Sequence, residues 1–108
     1  MMAMPFNFTI KAIIKGNGPS KRPGSMRDGR HVMSLLVSID GANYELNIVT
    51  KQGQAIEDAA NELVKLGIVT KEKDDFVIHI PTWSLAKAKN NVIWVHIEDY
   101  ERLKGTTT

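Results

Sequence analysis

Seven basic side chains fall into two short stretches, and that grouping suits phosphate chemistry. The first stretch holds Lys15, Lys21, Arg22, Arg27 and Arg30 against one acid, Asp28, a local charge of +4. The second holds Lys87 and Lys89, with no acid between Ala86 and Asn91. The rest of the chain carries seven basic and eleven acidic residues, so a protein of net charge +2 is strongly polarised. A flexible cationic loop can gather several phosphates of one polyanion and release their counterions. The guanidinium fork matches phosphate oxygens better than an ammonium does. Either stretch alone reads as a solvated loop; the pair points to a polyanion. Tyr44, Trp83 and Trp94 add rings on which bases could stack, with core packing or an interface between protomers as the alternative for each. Phe6, Phe8 and Phe76 read as core.

Other chemistries find little support. The chain has no Cys, so it has no disulfide framework, thiolate metal site or Cys nucleophile. His31, His79 and His96 are far apart in sequence; the last two sit in candidate neighbouring strands, and two His without a third ligand make a poor metal site. Gly16–Asn17–Gly18–Pro19–Ser20–Lys21 lacks the spacing of a phosphate-cradling P-loop, and no helix follows it. Asp74–Asp75 and Glu98–Asp99–Glu101 read as solvated strand ends. No Gly-x-Ser-x-Gly or Ser/His/Asp order stands out. The expectation is a binding protein without catalysis, cofactor or metal.

The elements that must position these residues follow from periodicity. Phe6 to Ile14 alternates with period two, a half-buried strand. Lys15 to His31 has four Gly and two Pro and reads as one long basic loop. Val32 to Ile39 is a second strand with Met33, Leu35, Val37 and Ile39 on its core face. Asp40–Gly41 marks a hairpin into a third strand through Tyr44, Leu46 and Ile48. The period then becomes helical: Ile56, Ala59, Ala60, Leu63 and Val64 predict a helix over Gly53–Leu66, stopped at Gly67. Lys71 to Asp75 reads as a charged turn. Phe76 to Ile80 is a fourth strand, with Thr82–Leu85 extending it past Pro81. Val92 to Glu98 is a fifth; with Ile93, Val95 and Ile97 inward, Trp94 points outward. Lys104 to Thr108 reads as a frayed tail.

At 108 residues this is one domain. Apolar runs are too short to span a membrane, and the opening residues lack the basic first region of a signal peptide, so a cytoplasmic setting is expected. The class is mainly β: a five-stranded OB-fold-like barrel with one helix between strands 3 and 4. In that fold the first and last loops flank a face that commonly holds oligonucleotides.

In this order of elements the sequence resembles the OB-fold single-stranded-DNA-binding proteins, and more narrowly the gene V type of filamentous phages. The similar stretches are Ser25–Met26–Arg27–Asp28–Gly29–Arg30, then Val37 through Glu45 around Asp40–Gly41–Ala42–Asn43–Tyr44, then Phe76–Val77–Ile78–His79–Ile80–Pro81–Thr82–Trp83 and onward to Leu103. The resemblance implies a homodimer, with a tetramer as the alternative, that coats single-stranded DNA during replication without reading sequence. It implies phosphate contacts at Arg22, Arg27 and Arg30 and stacking at Tyr44 and Trp83. The helix is longer than the phage type has, and the acidic tail of the cellular proteins is missing, since the chain ends Lys104–Gly105–Thr106–Thr107–Thr108. A phage-infected or bacterial host cell is the expected setting. The alternatives are an RNA-binding OB module acting in translational regulation, and a protein-interaction or inhibitor module anchored by its Trp residues.

Overall fold

Two alternating apolar segments, β2 (Val32–Ile39) and β3 (Ala42–Val49), pair antiparallel around Asp40–Gly41. Both turn residues have positive φ, 50° and 84°, the conformation a two-residue hairpin needs to match strand twist. The structure is a computed structural model that describes residues 8–21 and 29–105, with side chains at 8–16 and 29–103. Arg22, Arg27 and Phe6 lie outside the described residues.

On the other side of β2 lies β1 (Thr9–Lys21), which runs well past the Lys15 boundary expected from composition. Gly16, at φ 79°, begins an irregularity in which β1 takes five steps, Lys15 to Ser20, against two on β2, Leu36 to Ser34. The Gly-Asn-Gly-Pro residues that read as loop are the bulge that lets pairing resume beyond it.

The helix between the third and fourth strands is α1 (Ile56–Lys65), shorter at both ends than expected. Gly67, at φ 80°, ends it through the left-handed conformation. The chain then makes a strand that periodicity did not show, β4 (Val69–Glu72), paired antiparallel with β5 (Asp75–Pro81) through Lys73–Asp74. Only Lys73–Asp74, the middle of the expected charged turn, is a turn. Four residues, two of them charged, give no readable period, and β4 exists because β5 offers it an edge.

Pro81 ends β5, and the chain does not continue as a strand: Thr82–Ala86 is a short helix, α2. It leads into β6 (Val92–His96), which lies parallel to β3. The fifth strand expected to reach Glu98 stops at His96, because Ile97–Gly105 is a third helix, α3, taking in part of the expected tail. Ile97, Tyr100 and Leu103 are its buried stripe.

The result is a mainly β fold with one six-stranded sheet, ordered β4-β5-β1-β2-β3-β6. It is not closed into a barrel. Two features of the chain account for this: β4 occupies the outer edge of β5, and β6 turns helical after five residues. Ala12, Leu35, Val37, Leu46, Ile48, Ile78, Ile80, Ile93 and Val95 of the sheet share one core with Ala59 and Leu63 of α1 and with Tyr100 and Leu103 of α3. Lys51 ties the two helices, its Nζ donating to Glu62 at 3.0 Å and Glu101 at 2.7 Å. Among the described residues no helix is long and apolar enough to cross a membrane.

Phe8 and Phe76, expected in the core, are instead 61% and 53% exposed. Both stand where the strands run out of cover: Phe8 precedes β1, and Phe76 is near the start of β5, with the Lys71 ammonium 5.8 Å from its ring centroid.

Candidate nucleic-acid interface

Residues that alternate with the core positions form the outer face of the sheet. Register aligns Lys15, Leu36, Glu45 and Val92 in one row across β1, β2, β3 and β6. The next row holds Ser34, Asn47 and Trp94, and the last Val32, Val49 and His96. Leu36 is 50% exposed and Trp94 49% exposed. Leu36 was not anticipated. Its signal was present in the sequence: an apolar residue out of phase between Leu35 and Val37 has no core position to fill.

The turn of Lys87 and Lys89 and the foot of the β1–β2 connection lie at opposite ends of this face, and Lys15 stands in the row at the Lys87 and Lys89 end. At the start of β6, the turn carrying Lys87 and Lys89 is pinned to β3. Glu45 N–H donates to Asn91 O at 2.8 Å, and Asn91 Nδ2 donates to Asn43 O at 3.0 Å. Asn90 and Asn91 both have positive φ, 53° and 60°, which asparagine tolerates better than other side chains. At the far end, beside Val49 and His96, lies the foot of the connection between β1 and β2. His31 N–H donates to Thr50 Oγ1 at 2.9 Å, Thr50 N–H to His31 O at 2.9 Å, and Gly53 N–H to Gly29 O at 3.0 Å. From Glu45 to Val49 is four residues, about 13 Å of strand. The outer face with Trp94, Asn47 and Leu36 lies between the turn of Lys87 and Lys89 and the foot at Gly29–His31.

Individual positions differ in what they can do. Lys15, Lys87 and Lys89 are exposed and have no ion-pair partner among the described residues. Lys21 ends β1 opposite Met33. Arg30, expected to contact phosphate, is held at the loop foot. Its guanidinium donates to Glu98 Oε1 at 2.9 Å and to Thr50 O at 3.0 Å. The same hydrogen bond holds the Glu98 carboxyl below the usual carboxylate range.

The rings also separate. Tyr44 is half-buried and packs against the core, on the β3 face that carries Leu46 and Ile48, so it does not share a face with Trp94. Trp83 is 39% exposed but sits on α2, outside the sheet. The strand alternation that offered it as a face residue stops at Pro81. Trp94 is the ring that the register carries onto the outer face.

Histidine chemistry does not assemble. Three strands separate β5 from β6, so His79 and His96 are not neighbours as the sequence allowed. His79 shares a hydrogen bond of 3.1 Å with Thr9 Oγ1, and burial, then the charge of Lys11, holds it below the ordinary histidine range. Among the described residues no three His, Asp or Glu side chains stand close enough to hold a metal ion. No known protein family, characterised protein or solved structure matches the chain.

Proposed function

We propose that this chain binds single-stranded nucleic acid, single-stranded DNA in the first place, along the outer face of β2, β3 and β6. The observation that carries the reading is the exposure of Trp94 and Leu36 on one sheet face, beside Lys15 and the turn of Lys87 and Lys89. Phosphates would run from the β1–β2 connection toward the turn of Lys87 and Lys89, with Lys15 beside the path. A base would stack on Trp94, a contact worth about 1–3 kcal/mol. The protein acts by coating and protecting the strand in replication, not by catalysis.

The order of strands supports a relation to the OB-fold. Strands β1, β2, β3, β5 and β6, with α1 after the third, follow the expected order, and β4 is an addition on the edge. The unpaired edges of β4 and β6 favour self-association, and a homodimer is the form proposed. Size-exclusion chromatography with light scattering checks that stoichiometry.

The deciding experiment is a titration with oligo-dT at two salt concentrations, following Trp emission. Emission is expected to fall on binding, and the fall to vanish in Trp94→Phe but persist in Trp83→Phe. Log affinity should decline against log salt with a slope of about 0.7 per phosphate neutralised. A matched oligo-U arm separates DNA from RNA preference. No binding to either strand at low salt overturns the proposal and leaves the exposed Leu36 and Trp94 as anchors for a protein partner.

A further inference from the structure

Two backbone positions on β4 point away from the sheet. His79 N–H donates to Ile68 O at 3.0 Å, and the β4–β5 register runs on from that pair without a shift. Thr70 and Glu72 therefore turn their backbone groups toward Val77 and Asp75, while Val69 and Lys71 turn theirs outward. Among the described residues nothing takes up the N–H and C=O groups of Val69 and Lys71. The opposite edge of the sheet is partly closed. Val92 N–H donates to Lys89 O at 2.9 Å, Lys89 N–H donates to Val92 O at 3.3 Å, and β6 turns helical after His96.

Resting on the homodimer of the reading above, we infer that a second copy of this chain lays its own β4 antiparallel along this edge, in one register. A twofold axis at Thr70 pairs Val69 with the partner's Lys71, and Lys71 with the partner's Val69. Each pair exchanges two hydrogen bonds, so every outward backbone group of both edges is satisfied.

The neighbouring registers are poorer. An axis at Lys71 sets two ammonium side chains directly opposite each other, which destabilises a ladder. An axis at Val69 pairs Lys71 with Gly67, which has φ 80° and lies outside β4. In the Thr70 register the centre is a Thr–Thr cross-strand pair, a favourable one. A lysine on a short edge strand discourages most partners; in this register it faces Val69, and its aliphatic stem can lie along that side chain.

Apolar surface is at hand to support so short a ladder. Phe76, directly across from Lys71 on β5, is exposed, and so is Val64, at the end of α1 just ahead of β4. β4 and β6 are the two outer strands of the sheet, so pairing through β4 stays clear of the proposed strand path over β2, β3 and β6.

The chain has no Cys, so a single introduced thiol can cross-link only between copies. Thr70 facing its own copy falls in a non-hydrogen-bonded pair, with Cα atoms about 4.5 Å apart, within the span of a disulfide. Under mild oxidation Thr70→Cys should form a disulfide dimer about tenfold faster than Val69→Cys or Lys71→Cys, whose thiols stand diagonally at about 7 Å. Thr70→Glu sets two carboxylates face to face and should raise the dimer dissociation constant about tenfold, read by light scattering. Its urea midpoint reports whether the fold survives, and the cross-linking series does not depend on it. A wild type that stays monomeric while binding oligo-dT overturns the inference and leaves the single-strand reading intact. A dimer in which Val69→Cys or Lys71→Cys cross-links as fast as Thr70→Cys, or in which none of the three cross-links, also overturns it. A dimer that cross-links at Thr70 but binds no oligo-dT upholds the edge contact and defeats the single-strand reading.

Discussion

Removing the Arg30 guanidinium takes away two hydrogen bonds, to Glu98 and to the Thr50 carbonyl, and leaves both acceptors without that donor. Arg30→Ala should lower unfolding stability by about 1–2 kcal/mol, a value reduced by the partial exposure of the pair. Urea denaturation measures it. The charge reversals Arg22→Glu and Arg27→Glu are expected to weaken oligo-dT binding and flatten its salt dependence. Composition does not single out Arg30 within its stretch; the Glu98 carboxylate that tertiary structure sets across from it does. The same holds among the rings. Alternation with Ile93 and Val95 was enough to turn Trp94 outward, whereas Trp83 could not be placed once Pro81 had broken the alternation.

At the scale of elements, legibility followed period and punctuation. Both strands of the central hairpin and the Asp40–Gly41 turn were readable because alternation and a left-handed turn signal agree there. Gly41 has φ 84°, and a methyl group added to its Cα would meet no atom within 4 Å. Gly41→Ala should therefore cost about 1 kcal/mol through backbone strain alone, without a clash. Calorimetry checks this, and a near-native sheet signal in circular dichroism should accompany the loss. Three elements were not legible. β4 has too few residues to show a period and depends on β5 for its existence. α2 spans five residues after a proline. α3 follows β6 with no Gly or Pro between, so strand alternation ran on into Glu98. The spacing of Ile97, Tyr100 and Leu103 carried the helix signal, but one stripe of three residues competes poorly with an unbroken strand pattern.

Across the whole molecule, the titratable groups that tie elements together act in one direction on the acid side. His79 is held below its ordinary range by burial and then by Lys11, so the unfolded chain takes up its proton first. Its contribution is complete above about pH 6.5 and is lost as pH falls below that value. Glu98 is held low by Arg30. Burial pushes the Glu62 carboxyl up, but hydrogen bonds from Gln54 and Lys51 outweigh it and the net shift is downward. Both carboxylates keep their contribution until pH drops through about 4.5 and below. The urea midpoint should therefore decline in two stages between pH 7 and pH 3. Lys51 has the opposite sign: Glu101 and Glu62 raise it, so its share persists until pH climbs beyond about 10.5.

The parallel seat of β6 beside β3 has a kinetic consequence. The chain completes its hairpin early, but the free flank of β3 waits for Val92, by which time α1, β4, β5 and α2 have intervened. Closing so distant a pair spends loop entropy before any reward, which places folding among the millisecond-to-second class. During synthesis the nascent protein carries that flank naked until Val92–His96 have left the ribosome.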